Sequence, residues 1–152
     1  MNPQNSQLAY QEAVVRNASP IDLVIILYDV LARDLQKAIS AMQAHHIEER
    51  SRHLKHGFLV LQQLDETLHV QQGGDLVGAM GKFYGMIRNQ MMVAQVQQDP
   101  SVLQRVLELL FSVRESWMEL KTRLAASDQG SSRQKPKSLY GETELRSESW
   151  NG

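Results

Sequence analysis

The apolar positions recur with a helical period along most of the chain, and no stretch alternates as a strand does. Between Ser19 and Met42, a rotation of 100° per residue places Val24, Leu27, Tyr28, Leu31, Leu35, Ala38, Ile39 and Met42 on one face. Ser19 suits an N-cap, Pro20 the N1 position and Asp22 the far end of a capping box, so a helix is predicted from here to about Gln43. Its first half carries Leu23, Ile26 and Val30 on a second face at i, i+3, i+7 and is apolar nearly all round. Asp22, Asp29 and Arg33 interrupt that run well short of the roughly 20 apolar residues a bilayer needs. The expected cover is protein.

Upstream, Leu8, Ala9, Tyr10, Ala13 and Val14 predict a short helix over Ser6 to Arg16, too weak to stand undocked. Downstream of a His45-His46 link, Leu54, Phe58, Leu61, Leu64 and Leu68 mark a further helix, with Gly73-Gly74 as its left-handed stop. From Asp75 to about Gln97 the core face is Leu76, Val77, Met80, Phe83, Tyr84, Ile87, Met91 and Ala94. Opposite it, Gly78, Gly81 and Gly85 line up at i, i+3, i+7, with Met92 and Val96 beyond, although each interior glycine costs about 1 kcal/mol against alanine. The result is a flat, bare strip. Asp99-Pro100 reads as N-cap and N1 of a last helix with core positions Val102, Leu103, Val106, Leu110, Val113, Trp117, Leu120 and Leu124, and a second stripe of Leu107, Phe111 and Met118.

After Ala126 the pattern stops, leaving Leu139, Tyr140, Leu145 and Trp150 scattered among polar residues, so 126–152 is expected to be a disordered tail on a helical domain of residues 1–125. The fold class expected is all-α: an antiparallel four-helix bundle with a short N-terminal helix.

Composition narrows the function mainly by exclusion. A chain of 152 residues supports one core, and a formal net charge of -1 without a basic run gives nucleic acid or an anionic membrane no electrostatic foothold. Cysteine is absent, which removes disulfides and thiolate chemistry. Met1 to Asn5 lacks the charged and apolar regions of a signal peptide, so a cytoplasmic protein without membrane insertion is expected.

Five histidines raise three chemical readings. Glu66-Thr67-Leu68-His69 has the Glu-x-x-His form of di-iron bundles but has no second copy. His53 and His56, at i, i+3, could share a metal with His45 or His46, yet no cysteine or well-spaced carboxylate completes a shell. His53-Leu54-Lys55-His56-Gly57 is similar to the phosphorylation site of histidine phosphotransfer domains, with the spacing off by one at Leu54 and again at Gly57. That signalling bundle, with His53 as phosphoacceptor, is the alternative function. There is no phosphate loop, catalytic triad or dinucleotide fingerprint, so no catalytic residue, metal or cofactor is assigned. The apolar stripes in excess of one core, one of them beside a glycine strip, point instead to binding a partner helix.

The residues also resemble a family, the flagellar export chaperone FliS. The likeness runs from Tyr10 to about Leu120 and rests on Tyr10, Ala18-Ser19-Pro20, Leu23, Leu27-Tyr28-Asp29, Ala38-Ile39, Leu64-Asp65, Leu68, Gly73-Gly74, Phe83-Tyr84, Ala94, Asp99 and Arg114-Glu115-Ser116-Trp117. It implies a non-enzymatic chaperone that captures the C-terminal segment of flagellin, blocks premature polymerisation and helps deliver its cargo to the flagellar type III export gate. An export-gate component or a flagellar regulator is a further partner the resemblance allows, and a homo-oligomer is left open. The family's N-terminal segment can occupy part of the groove, which makes Tyr10 a lid over Leu23, Ile26 and Val30. Leu27 and Tyr28 accompany them as partner-binding residues, with Gly78, Gly81, Gly85 and Met92 as floor and Leu107 and Phe111 on the last helix. Val30, Gly81, Gly85, Met86 and Gln95 depart from the family's usual residues and imply a reshaped groove.

Overall fold

The computed structural model describes residues 19–70 and 74–151, with side chains described for 19–68 and 74–128. The predicted helix over Ser6 to Arg16 lies outside these residues. Among the described residues there are four helices and no strand: α1 (Pro20–Gln43), α2 (Ile47–Val70), α3 (Gly74–Gln97) and α4 (Pro100–Asn151).

The helix ends follow local chemistry. Ser19 is extended, accepts a hydrogen bond from the Asp22 amide at 3.2 Å and donates its hydroxyl to the Asp22 carboxylate at 2.9 Å, so the predicted N-cap is made. At the start of α4 the Asp99 carboxylate accepts from both the amide and the hydroxyl of Ser101, at 3.0 and 2.8 Å. Those bonds, the hydroxyl's first, hold the Asp99 carboxyl below its ordinary range, so the contribution of this cap is full above the usual carboxylate pKa and is lost as pH falls from there through the lowered value. The left-handed positions among the described residues are His45 (φ 59°) and Gln98 (φ 54°), which end α1 and α3. The expected glycine stop is corrected in part: Gly74 is the first residue of α3 without a positive φ, and Gly73 lies outside the described residues.

The chain divides into two compact units, one through Glu115 and one from Ser116 onward. In the first, α1 packs on α2 and α2 on α3. All eight predicted α1 core residues are buried, as are Leu54, Leu61, Leu64, Leu68, Tyr84, Ile87, Met91, Ala94, Val102, Leu103, Val106 and Leu110. Phe58, Val77, Met80, Phe83 and Val113 are half-buried, and Leu76 is exposed. Periodicity marks which face is apolar, whereas coverage depends on what lies opposite; the α3 stripe is fully covered only from Tyr84 onward. In the second unit Trp117 is buried and Leu124 exposed. The backbone of α4 continues as helix to Asn151, past the predicted stop at Ala126, while every side chain from Lys121 to Asp128 is exposed.

Four long-range pairs tie the first unit together. The Tyr28 and Tyr84 hydroxyls hydrogen-bond at 2.9 Å, their rings edge to face with centroids 6.1 Å apart. Asp29 on α1 receives two bonds from the Arg114 guanidinium, at 2.7 and 3.3 Å, which hold that group above its ordinary range. Asp65 accepts from Arg88 at 2.8 Å, and His56 Nδ1 lies 2.5 Å from the Asp34 carboxylate. The ion pairs at Asp29 and Asp65 are partly exposed, so each is worth at most about 1 kcal/mol.

The tyrosine pair is worth more because both rings are sealed. Replacing Tyr28 by Phe leaves the Tyr84 hydroxyl short of a buried partner, and a loss of about 1–3 kcal/mol is expected in urea unfolding. Removing both hydroxyls should cost less than the sum of the single changes; strict additivity would show that the bond contributes nothing. Burial, then the charge of Tyr28 and the bond to it, push the Tyr84 phenol well above its usual value. Its stabilisation is therefore complete below about pH 10, the unfolded pKa, and declines above it as the unfolded chain releases the proton.

Candidate partner-binding face

The glycines of α3 leave bare backbone at the surface. A Cβ built on Gly78, Gly81 or Gly85 meets nothing within 4 Å, so the strip has open space above it along its length. Met92 and Val96 continue the same helix face and are exposed, Val96 by 82%. Beside it, α2 contributes Phe58 and Leu59, which with Gln62, Arg88, Met92 and Gln95 line a groove of about 580 Å³. Leu59 is 54% exposed although it is a large apolar side chain. The Arg88 to Asp65 bond holds the one cation of the groove to α2.

The other candidate residues divide by burial. Leu23, Ile26 and Val30 are half-buried, which fits a second apolar face that is partly available. Leu27, Tyr28 and Leu107 are buried, at 6%, 1% and 9% exposure, the first two as the α1 core stripe predicts. They share a helix with surface positions, and it is their rotation about the axis that turns them inward. Phe111 is 44% exposed. Tyr10 lies outside the described residues. The groove residues Leu59 and Arg88 were not singled out from the sequence: Leu59 lies off the α2 stripe, inside the apolar run Phe58 to Leu61, where nothing distinguishes it from its neighbours.

The histidines are engaged otherwise than a metal site requires. His56 is taken by Asp34, His53 lies in a cleft between α1 and α2, and His69 has no described side chain. Among the described residues, no three of His, Cys, Asp and Glu lie close enough to share a metal ion. No helix among them is long and apolar enough to cross a membrane.

An all-helical chain with a bare, apolar face is the class to which the comparisons with known proteins then give a name. The family profile described as Flagellar protein FliS matches residues 1–124, and the chain belongs to the FliS family. The flagellar secretion chaperone FliS of Bacillus subtilis is 25% identical over 116 residues, covering 76% of this chain and 86% of that protein. FliSB of Pseudomonas aeruginosa, also a flagellar secretion chaperone, is 28% identical over 106 residues, 70% of this chain and 84% of its own. The Vibrio cholerae flagellar secretion chaperone FliS is 25% identical over 103 residues, or 68% and 76% of the two chains. Proteins of this family are chaperones of flagellar export and not enzymes, which sets aside the phosphotransfer alternative.

Proposed function

We propose that this protein is a cytoplasmic chaperone that binds the C-terminal segment of flagellin on the open face of α2 and α3, prevents its premature polymerisation and assists delivery to the flagellar export gate. The observation that carries this reading is the glycine strip of α3, open above Gly78, Gly81 and Gly85 and flanked by exposed Leu59, Met92 and Val96. Glycine here sacrifices helix stability and gains close backbone approach, which is what a partner helix needs. The reading takes the helices as an antiparallel bundle, supported by the three-residue link from α1 to α2 and by the pairing of Asp34 with His56 and Asp65 with Arg88. Tyr10 is the lid over Leu23, Ile26 and Val30 that gives way to cargo, and 126–152 is an extension outside the binding domain.

Cargo that is unfolded when captured loses about 2–5 kcal/mol of its gross contact energy to ordering, which leaves an affinity moderate enough for release. Calorimetric titration with flagellin from the same organism tests the reading. Full-length flagellin is expected to bind with a negative heat-capacity change, and binding should vanish when its last 40 or so residues, about 60 Å of helix, are removed. Binding that survives the truncation, or no binding to the full chain, would refute it. Repeating the titration without residues 1–18 should tighten binding if Tyr10 competes with cargo, and unchanged affinity would remove the lid.

A further inference from the structure

At the end of the first unit where α1 turns into α2, a cationic side chain is largely buried and has no ion-pair partner among the described residues. Arg50 is 8% exposed, and its Nε is sealed from solvent without a hydrogen-bond partner, the one such side-chain atom among the described residues. No ion pair reaches it from any described residue. Nε is the sealed atom, so the rest of the guanidinium, which borders the adjoining cavity, is the part that can meet an anion, and a carboxylate matches its planar fork. Arg50 lines a cavity of about 70 Å³ together with His45, His46 and Gln98. That is several times what one water needs, on the order of 10–15 Å³, and suits a carboxylate group.

The cavity adjoins a wider cleft of about 410 Å³ between α1 and α2, with Ala41 and His46 in both walls. Arg33, Lys37 and His53 line this cleft, and none of the three has an acidic partner among the described residues. Glu49 is the single carboxylate in either lining, half turned to solvent and 3.9 Å from His46. On a chain of formal net charge -1, this gathers positive charge in one place.

We propose that this end of the unit is a second docking site that takes an acidic segment of a partner polypeptide, with one carboxylate seated against Arg50 and others in the cleft lined by Arg33, Lys37 and His53. The cleft favours a polypeptide over a free ion, because a single ion would use only the small cavity. The site lies on α1 and α2, apart from the apolar groove of α2 and α3, and does not depend on the cargo reading.

The test uses the full chain and a blocked hexapeptide of alternating Asp and Ala, with its Asn counterpart and sodium formate as controls. Fluorescence anisotropy should show the Asp peptide binding and the Asn peptide not. Arg50→Met should weaken binding about thirtyfold or more, and the exposed-residue variant Arg33→Gln/Lys37→Gln about tenfold. Without peptide, Arg50→Met should melt at a higher temperature than the parent, since a polar nitrogen no longer has to be buried without a hydrogen bond. Arg50→Lys, which keeps charge and most of the volume but loses the fork, should fold and still bind weakly. Formate raising the melting temperature through Arg50 while the peptide binds no better than its Asn control would mean a small-anion site only and overturn the docking proposal. Indifference of both probes to Arg50→Met would overturn the site itself.

Discussion

Replacing Gly78, Gly81 and Gly85 together by alanine should make the protein more stable and a poorer binder of flagellin's C-terminal segment. Each substitution recovers about 0.5–1 kcal/mol of helix propensity, and none is penalised by a clash, because the space where each methyl would sit is open. The sum, about 1.5–3 kcal/mol, should raise the melting temperature by on the order of 10 °C. On the cargo side the same three methyls stand where a partner backbone would lie. Pushing the partner back by a methyl, or forcing it to repack, costs about 1–3 kcal/mol, which is roughly a ten- to hundredfold loss of affinity. Thermal melts and flagellin titration of the triple variant read both effects. Higher stability with unchanged affinity would place the cargo off the strip, and lower stability would mean that the strip is already packed against something.

Replacing Gly57 by leucine should do the opposite and destabilise the fold by about 3 kcal/mol, the upper part of the overpacking range. Here a Cβ would lie 2.9 Å from the terminal methyl of Met91 and 3.4 Å from Cδ1 of Leu31, so α1, α2 and α3 converge on this one residue. Alanine is expected to be near neutral, because Met91 ends in a flexible chain that can swing aside and the helix gains about 1 kcal/mol of propensity. Leucine brings three further carbons into the same space, next to the Asp34 to His56 bond. Urea unfolding should show a lower midpoint with an unchanged slope for the leucine variant alone. Equal midpoints for alanine and leucine would show that the three helices do not approach as closely as this.

The glycines are of two kinds: Gly57 lets helices of the same chain approach each other, whereas Gly78, Gly81 and Gly85 have open space above them, as the proposed binding of a partner helix requires. Some motif residues by which the chain resembles its family are partners of one another: Tyr28 meets Tyr84 and Asp29 meets Arg114, while Asp65 meets Arg88 from outside that set.

The sequence by itself determined the starts of α1 and α4 with their capping residues and most of the core. Ser19 with Asp22 and Asp99 with Ser101 act within a few residues, and a stripe such as Leu54, Leu61, Leu64 and Leu68 is fixed by the helical period alone. Local chemistry of this kind is written along the chain. What only the tertiary structure decided is which apolar positions are covered: Leu107 of the second α4 stripe went inward, while Leu59, Leu76 and Phe111 stayed out. It also decided that Gly57 sits beneath Met91 and that Arg50 is buried without a partner. Coverage and pairing depend on residues tens of positions apart being brought together, and hydrophobic periodicity carries no information about what stands opposite a face.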